Sequence, residues 1–279
     1  MKKNTLLLLI LAICSGCVAA AAPIIEGYQA YSLGKGGAMA VESMKPIELE
    51  EELAIGGSLA IQVFNRFGGP YKNDKVQRYI TTLGQALADV SDRPGIKYYF
   101  AILNSEEPNA FATPGGYVFV SKGLLKLVHN EAELAGVLGH ELAHITHRHA
   151  LQTIERNKKM AGLGSLTIGA MGADPELFDE IIEQAADTLF SHGLDKGLEH
   201  EADEVGTDYS NRLGYHPGGL KNFLTTLNSR SGHESVFWST HPTPQDRLDN
   251  LAQKLSRFSQ GLSQPKYAAE FTQMVQGQL

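Results

Sequence analysis

The stretch His140-Glu141-Leu142-Ala143-His144 places two imidazoles four residues apart with a carboxylate between them. On an α-helix, positions four apart share a face, so His140 and His144 can reach one Zn²⁺ at about 2.0–2.1 Å. Glu141 then stands beside the metal, where its carboxylate can take a proton from a water that the metal has acidified to a pKa of about 7. The chemistry suggested is metal-assisted hydrolysis of a peptide bond. His147 and His149 follow closely, so a solvated, histidine-rich helix face is the plain alternative. The upstream residues argue against it. Asn130 can cap a helix on which Ala132, Leu134, Ala135, Val137, Leu138, Leu142 and Ala143 form a broad apolar surface, as a buried helix needs.

A catalytic zinc site commonly takes three protein ligands and leaves a position for water, and two histidines with one glutamate form a recurring set. A third donor is available in Leu198-Glu199-His200-Glu201-Ala202-Asp203-Glu204-Val205-Gly206. Glu199 and Asp203 are four apart and share a helix face, so Glu199 can bind the metal while Asp203 accepts the spare imidazole N–H of a liganding histidine. Glu201 competes for the same role from another direction on the helix. An ordinary charged helix face would not require Ala202 and Gly206 to be so small.

The segments 140–149, read as one helix, and 199–206, with Asn109-Ala110-Phe111-Ala112-Thr113-Pro114-Gly115-Gly116-Tyr117-Val118-Phe119-Val120 and Ser239-Thr240-His241-Pro242-Thr243-Pro244-Gln245-Asp246-Arg247, occur in the order found in a known family. The chain resembles the HtpX and CAAX prenyl protease type of zinc metallopeptidases, metallopeptidase family 48, in its soluble bacterial branch. The resemblance covers most of the region from 47 to about 258. It implies an α+β, predominantly helical metallopeptidase domain with a small sheet whose edge strand lines the active-site cleft, and one zinc ion per chain. It also implies an endopeptidase whose substrates are unfolded or misassembled envelope proteins. A zinc-stabilised envelope binding or chaperone module is a reading of a different class. The intact Glu141 favours the enzyme, because a structural zinc site has no use for a free carboxylate there.

The family strand before the motif helix implies a substrate-binding role for Asn109, Ala110, Gly115, Gly116 and Tyr117. In this chain Tyr117, Phe119 and Ser121 alternate with Val118 and Val120 after a Pro-Gly-Gly turn; at a sheet edge such a strand can pair with an extended peptide. A plain core strand following a glycine turn fits the same residues. In the His-Pro segment the resemblance makes His241 a group that approaches the zinc, as a latch, a catalytic group or both. It makes Arg247 a fixed positive charge for the developing oxyanion; Arg247 can instead be the structural partner of an acidic residue.

Lys2 and Lys3 precede an apolar run over 6–13, the design of a secretory leader too short to anchor stably across a bilayer. Ile13-Cys14-Ser15-Gly16-Cys17 resembles a bacterial lipobox with Cys17 as the lipidated residue, although Cys14 stands where an aliphatic residue is preferred. Ordinary cleavage within 19–22 is the alternative. Residues 1–17 thus read as a signal peptide, 18–46 as a tether and loosely ordered segment, and 47–279 as the metallopeptidase domain. Val18 follows the cysteine where aspartate would signal inner-membrane retention, so the expected location is the periplasm, with a lipid anchor in the outer membrane.

Cys14 and Cys17 are the only cysteines, so no disulfide is expected in the mature domain. Losing Lys2 and Lys3 takes the net charge from −7 to about −9, which disfavours nucleic acid as a partner. Helical patterns cover 48–67, 75–90, 175–190, 196–213, 217–228 and 244–258, and strands are expected at 98–103 and 117–120. The stretch 160–173 is too short and glycine-broken to span a membrane.

Overall fold

In the computed structural model, residues 47–160, 175–231, 236–241, 244–258 and 268–279 are described. The leader, the lipobox, the tether and the glycine-broken stretch beyond Met160 lie outside the described residues. Two long helices come first, α1 (Leu49–Arg66) and α2 (Asp74–Asp89). Helix α2 buries Val76, Ile80, Leu83 and Leu87 along one face, and the Asn73 side chain accepts from the Val76 N–H at 3.2 Å, satisfying a donor left open by the first turn.

The sheet has three strands, β1 (Tyr99–Leu103), β2 (Ala110–Thr113) and β3 (Tyr117–Ser121), in the order β1-β3-β2. Strand β3 runs parallel to β1 and antiparallel to β2, with Phe119 opposite both Ala101 and Phe111. All five residues of β3 are buried, because Val118 and Val120 enter an apolar cluster with α2 on one face while Tyr117 and Phe119 enter another with α1 on the opposite face. The strand 117–121 is therefore the centre of the sheet and offers no edge to a peptide; the edge strands are β1 and β2. The β2–β3 hairpin turns through Gly115 and Gly116 at φ values of 78° and 102°, and a Cβ on Gly116 would meet the Lys97 carbonyl oxygen at 2.2 Å.

Seven further helices carry the chain through α3 (Lys122–Leu127), α4 (Glu131–Thr146), α5 (His149–Met160), α6 (Pro175–Asp187), α7 (Lys196–Arg212), α8 (Gly219–Ser231) and α9 (Val236–Thr240). Two more, α10 (Pro244–Leu255) and α11 (Ala268–Met274), follow, a 3₁₀ turn, Gln276–Gln278, ends the described chain, and a π-helical turn, Thr188–His192, prolongs α6. Helix α4 starts where the sequence places it, with the Asn130 side chain accepting from the Glu133 N–H at 3.0 Å. The segment 140–149 is not one helix: α4 ends at Thr146, Arg148 adopts φ 58°, and α5 begins at His149. Helix α4 is buried nearly all round and crosses α7 at a point where neither helix has a side chain, Gly139 against Gly206. None of the described helices is long and apolar enough to cross a membrane.

Candidate active site and metal centre

The buried face of α4 carries His140 and His144, whose Nε2 atoms stand 3.0 Å apart with perpendicular rings. Helix α7 brings Glu199 to them, Oε2 lying 3.5 Å from His140 Nε2 and Oε1 lying 3.4 Å from His144 Nε2. His241, just past α9, adds Nδ1 at 3.4 Å from His140 Nε2 and 3.2 Å from Glu199 Oε2. Donors held at about 2.0–2.1 Å in a tetrahedron around zinc lie roughly 3.3 Å from one another. The spacing of these four donor atoms, all within 4.8 Å of each other, therefore fits a single ion. Glu199 Oε1 is buried without a hydrogen-bond partner, as a donor reserved for a cation would be.

Glu141 points into the same space and is not one of the four donors. Its side chain is fully buried, and neither carboxylate oxygen has a hydrogen-bond partner. Burial raises its pKa, which suits a group that must take up a proton and release it again. His241 Nε2 comes within 3.6 Å of Glu141 Oε1 and 3.3 Å of the Ala110 carbonyl oxygen, and its ring stacks on Phe237 at 4.7 Å.

Behind the donors, Asp203 Oδ1 lies 2.9 Å from His140 Nδ1. Arg247, completely buried, donates to both Asp203 oxygens at 2.6 and 2.9 Å and approaches Glu199 Oε2 at 3.0 Å. Its guanidinium is thus engaged by two carboxylates on the far side of the cluster, the geometry of a structural partner rather than of a free cation facing substrate. Burial resists ionisation of Glu199 and Asp203, yet His241 and Arg247 beside the first, and Arg247 and His140 beside the second, hold both carboxyls below the usual range. Burial and the charge of Arg247 push His140 down, but Asp203 and Glu199 outweigh them and raise it to about 9. Burial and the neighbouring His140 keep His144 well below 6.5.

Glu201 faces away from this cluster. Its Oε1 lies 2.8 Å from His147 Nδ1 and its Oε2 lies 3.5 Å from His149 Nε2. His149, which sequence reasoning left unused, is wholly buried, and its Nδ1 meets His144 Nδ1 at 2.9 Å. Burial depresses its pKa to about 4.

A cleft opens beside Glu141, His144 and His241, floored by β2 and walled by Leu151, Leu189, Phe190 and Leu194. The Asn109 carbonyl accepts from the Ser121 N–H, so in the antiparallel ladder Ala110 and Ala112 turn their backbone groups outward. The outward oxygen of Ala110 meets His241, and the Ala110 N–H donates to the Asn109 side chain, which leaves Ala112 as the residue presenting an edge to the cleft. Of the five residues implied as substrate-binding, Asn109 and Ala110 adjoin His241 and Thr240, whereas Gly115 and Gly116 form the hairpin turn and Tyr117 is buried against Tyr99. Ala112 was missed; its outward parity follows only once the hairpin register is known.

Residues 74–255 match the family description Peptidase family M48. The beta-barrel assembly-enhancing protease of Yersinia pestis is 30% identical over 223 residues, covering 76% of this chain and 45% of that protein. Mitochondrial metalloendopeptidase OMA1 of Schizosaccharomyces pombe is 26% identical over 180 residues, covering 63% of this chain and 52% of its own. Metalloprotease YcaL of Escherichia coli strain K12 is 24% identical over 187 residues, covering 66% and 72% respectively. The chain spans about half the length of the first of these relatives. The family match takes in well over half of the 279 residues, and the chain belongs to peptidase family M48.

Proposed function

We propose that the protein is a zinc endopeptidase of the bacterial cell envelope that cuts unfolded or misassembled proteins. The observation that carries this reading is Glu141, a carboxylate buried beside a cluster of metal donors, with both oxygens unpartnered and the apolar cleft in front of it. Zinc held by His140, His144 and Glu199 would supply Lewis acidity at the scissile carbonyl and acidify the attacking water. Glu141 is the base that takes the proton from that water and returns it to the leaving amine. The outward N–H and C=O of Ala112 suit pairing with an extended peptide. The apolar wall of Leu151, Leu189, Phe190 and Leu194 suits a hydrophobic side chain next to the cut, a feature that unfolded chains expose.

Asp203 orients His140, and Arg247 holds Asp203 and Glu199 in place. His241 fits a latch: its Nδ1 stands where it can occupy a fourth metal position, and it must swing away before substrate enters. The envelope setting rests on the charged and apolar leader, on Cys17, and on relatives named for β-barrel assembly. With Cys17 lipidated and Val18 after it, the mature protein is tethered to the outer membrane; Cys17→Ser should release it into the soluble periplasmic fraction, and persistent acyl labelling of that variant would exclude the lipobox. Metal analysis combined with digestion of casein or a denatured protein tests the activity itself. One zinc per chain and chelator-sensitive cleavage are expected, and hydrolysis unaffected by metal removal would refute the assignment.

A further inference from the structure

We propose that His149 is a positioning residue which fixes the metal-binding tautomer of His144, with Glu201 as the carboxylate behind it. The inference rests on the reading that His144 binds the metal through Nε2. The Nδ1 atoms of His144 and His149 are 2.9 Å apart and both rings are buried, so one proton lies between the two nitrogens. A neutral imidazole that offers its Nε2 lone pair to a metal carries its proton on Nδ1. His144 Nδ1–H must then donate, His149 Nδ1 must accept, and the proton of His149 is confined to Nε2.

That nitrogen is buried with no partner inside hydrogen-bond range, and the nearest carboxylate oxygen is Glu201 Oε2 at 3.5 Å. Glu201 is itself held from its other oxygen by His147 at 2.8 Å. The two metal-facing histidines are thus supported differently. His140 has a carboxylate, Asp203, at its second nitrogen, whereas His144 has a neutral ring that relays to a carboxylate one step further out.

The same three residues, His147, His149 and Glu201, bring donor atoms within 4.8 Å of each other and resemble a second cation site. Ligation through His149 Nε2, however, would move the His149 proton to Nδ1. Two N–H groups would then face one another across 2.9 Å unless His144 gave up its own metal. Capture of a second ion and ligation by His144 exclude each other, and the relay is the arrangement compatible with the primary site.

The test uses the full chain loaded with one equivalent of zinc and carrying ¹⁵N-labelled histidine, with tautomers read from long-range ¹H–¹⁵N correlations. His144 should show Nδ1–H with a metal-shifted Nε2, and His149 should show Nε2–H. A metal-shifted His144 beside a His149 carrying Nδ1–H overturns this proposal alone, whereas a His144 with no metal shift overturns the ligand reading as well. A competition titration against a chromophoric chelator supplies the second readout. His149→Leu should weaken zinc about 10–100-fold, the usual cost of losing such a support. His149→Asn, whose side-chain oxygen can stand where Nδ1 stood, should recover most of that loss. A folded His149→Leu variant with wild-type affinity, or stoichiometric uptake of a second zinc with His144 still ligated, refutes the relay. If His149→Leu does not fold, the tautomers of the native protein decide.

Discussion

Replacing Gly206 by alanine tests whether the crossing of α4 and α7 sets the metal geometry. A Cβ at Gly206 would lie 2.4 Å from the His140 nitrogen and 2.5 Å from the Gly139 carbonyl carbon, where ordinary contact begins at 3.4 Å. The atoms it meets are backbone, so no rotamer change relieves the clash, and the helices must part by about 1 Å. The obstructed atom belongs to His140 itself, so the same displacement separates His140 from Glu199 and Asp203 on the opposing helix. Metal bonds tolerate about 0.2 Å. Overpacking costs about 1–3 kcal/mol and alanine's helical preference over glycine returns about 1 kcal/mol, so the metal-free protein should lose no more than about 2 kcal/mol. Zinc affinity, by contrast, should fall at least about 10-fold. Thermal unfolding with and without zinc, together with a chelator competition, separates the two effects. Gly197→Ala, on the same helix with open space around its Cβ, is the control and should keep wild-type affinity. Wild-type zinc affinity in a folded Gly206→Ala protein would refute the reasoning.

Glu141→Gln should keep zinc and lower digestion of a denatured protein by about 10²–10⁴-fold, the usual contribution of a general base, and near wild-type turnover would remove Glu141 from that role. Glu199→Gln should weaken zinc far more than Glu201→Gln, since Glu199 faces both motif histidines while Glu201 faces His147; the reverse order in a metal titration would reassign the ligand. His241→Ala should retain zinc and raise proteolysis or self-cleavage if the histidine is a latch; slower turnover with zinc retained makes it catalytic, and unchanged behaviour leaves it structural.

The histidine motif and the Asn130 cap are local signals, and the sequence locates the start of α4 because both act within two turns. Its end was not legible: Arg148 takes a left-handed conformation that an arginine does not advertise, and the chain reversal there is what swings His149 back onto His144. The alternation in 117–121 announces a strand, but a strand covered on both faces by apolar layers reads much like one at an edge. Only the pairing with both β1 and β2 shows that this strand is central and that the edge beside the cleft belongs to the four residues of β2. The small size of Ala202 and Gly206 was visible without its cause, which is the approach of α4. The direction of Arg247 depends on Glu199 and Asp203, residues more than forty positions away, and no local pattern reports it.

Three carboxylates, those of Glu141, Glu199 and Asp203, are buried around the single guanidinium of Arg247, which leaves an excess of negative charge that a divalent cation would cancel. Protons can substitute for the cation. His140, raised from an ordinary 6.5 to about 9, is charged in the metal-free fold at neutral pH. Its contribution to the stability of that fold is complete below about 6.5 and fades as pH rises through about 9. Metal and hydrogen ions therefore compete to neutralise the same carboxylates, and zinc uptake must expel protons. The rise in melting temperature produced by zinc should grow between pH 6.5 and 9, and a protease exposed to a changing medium would have its working fraction set by ambient acidity as well as by metal supply.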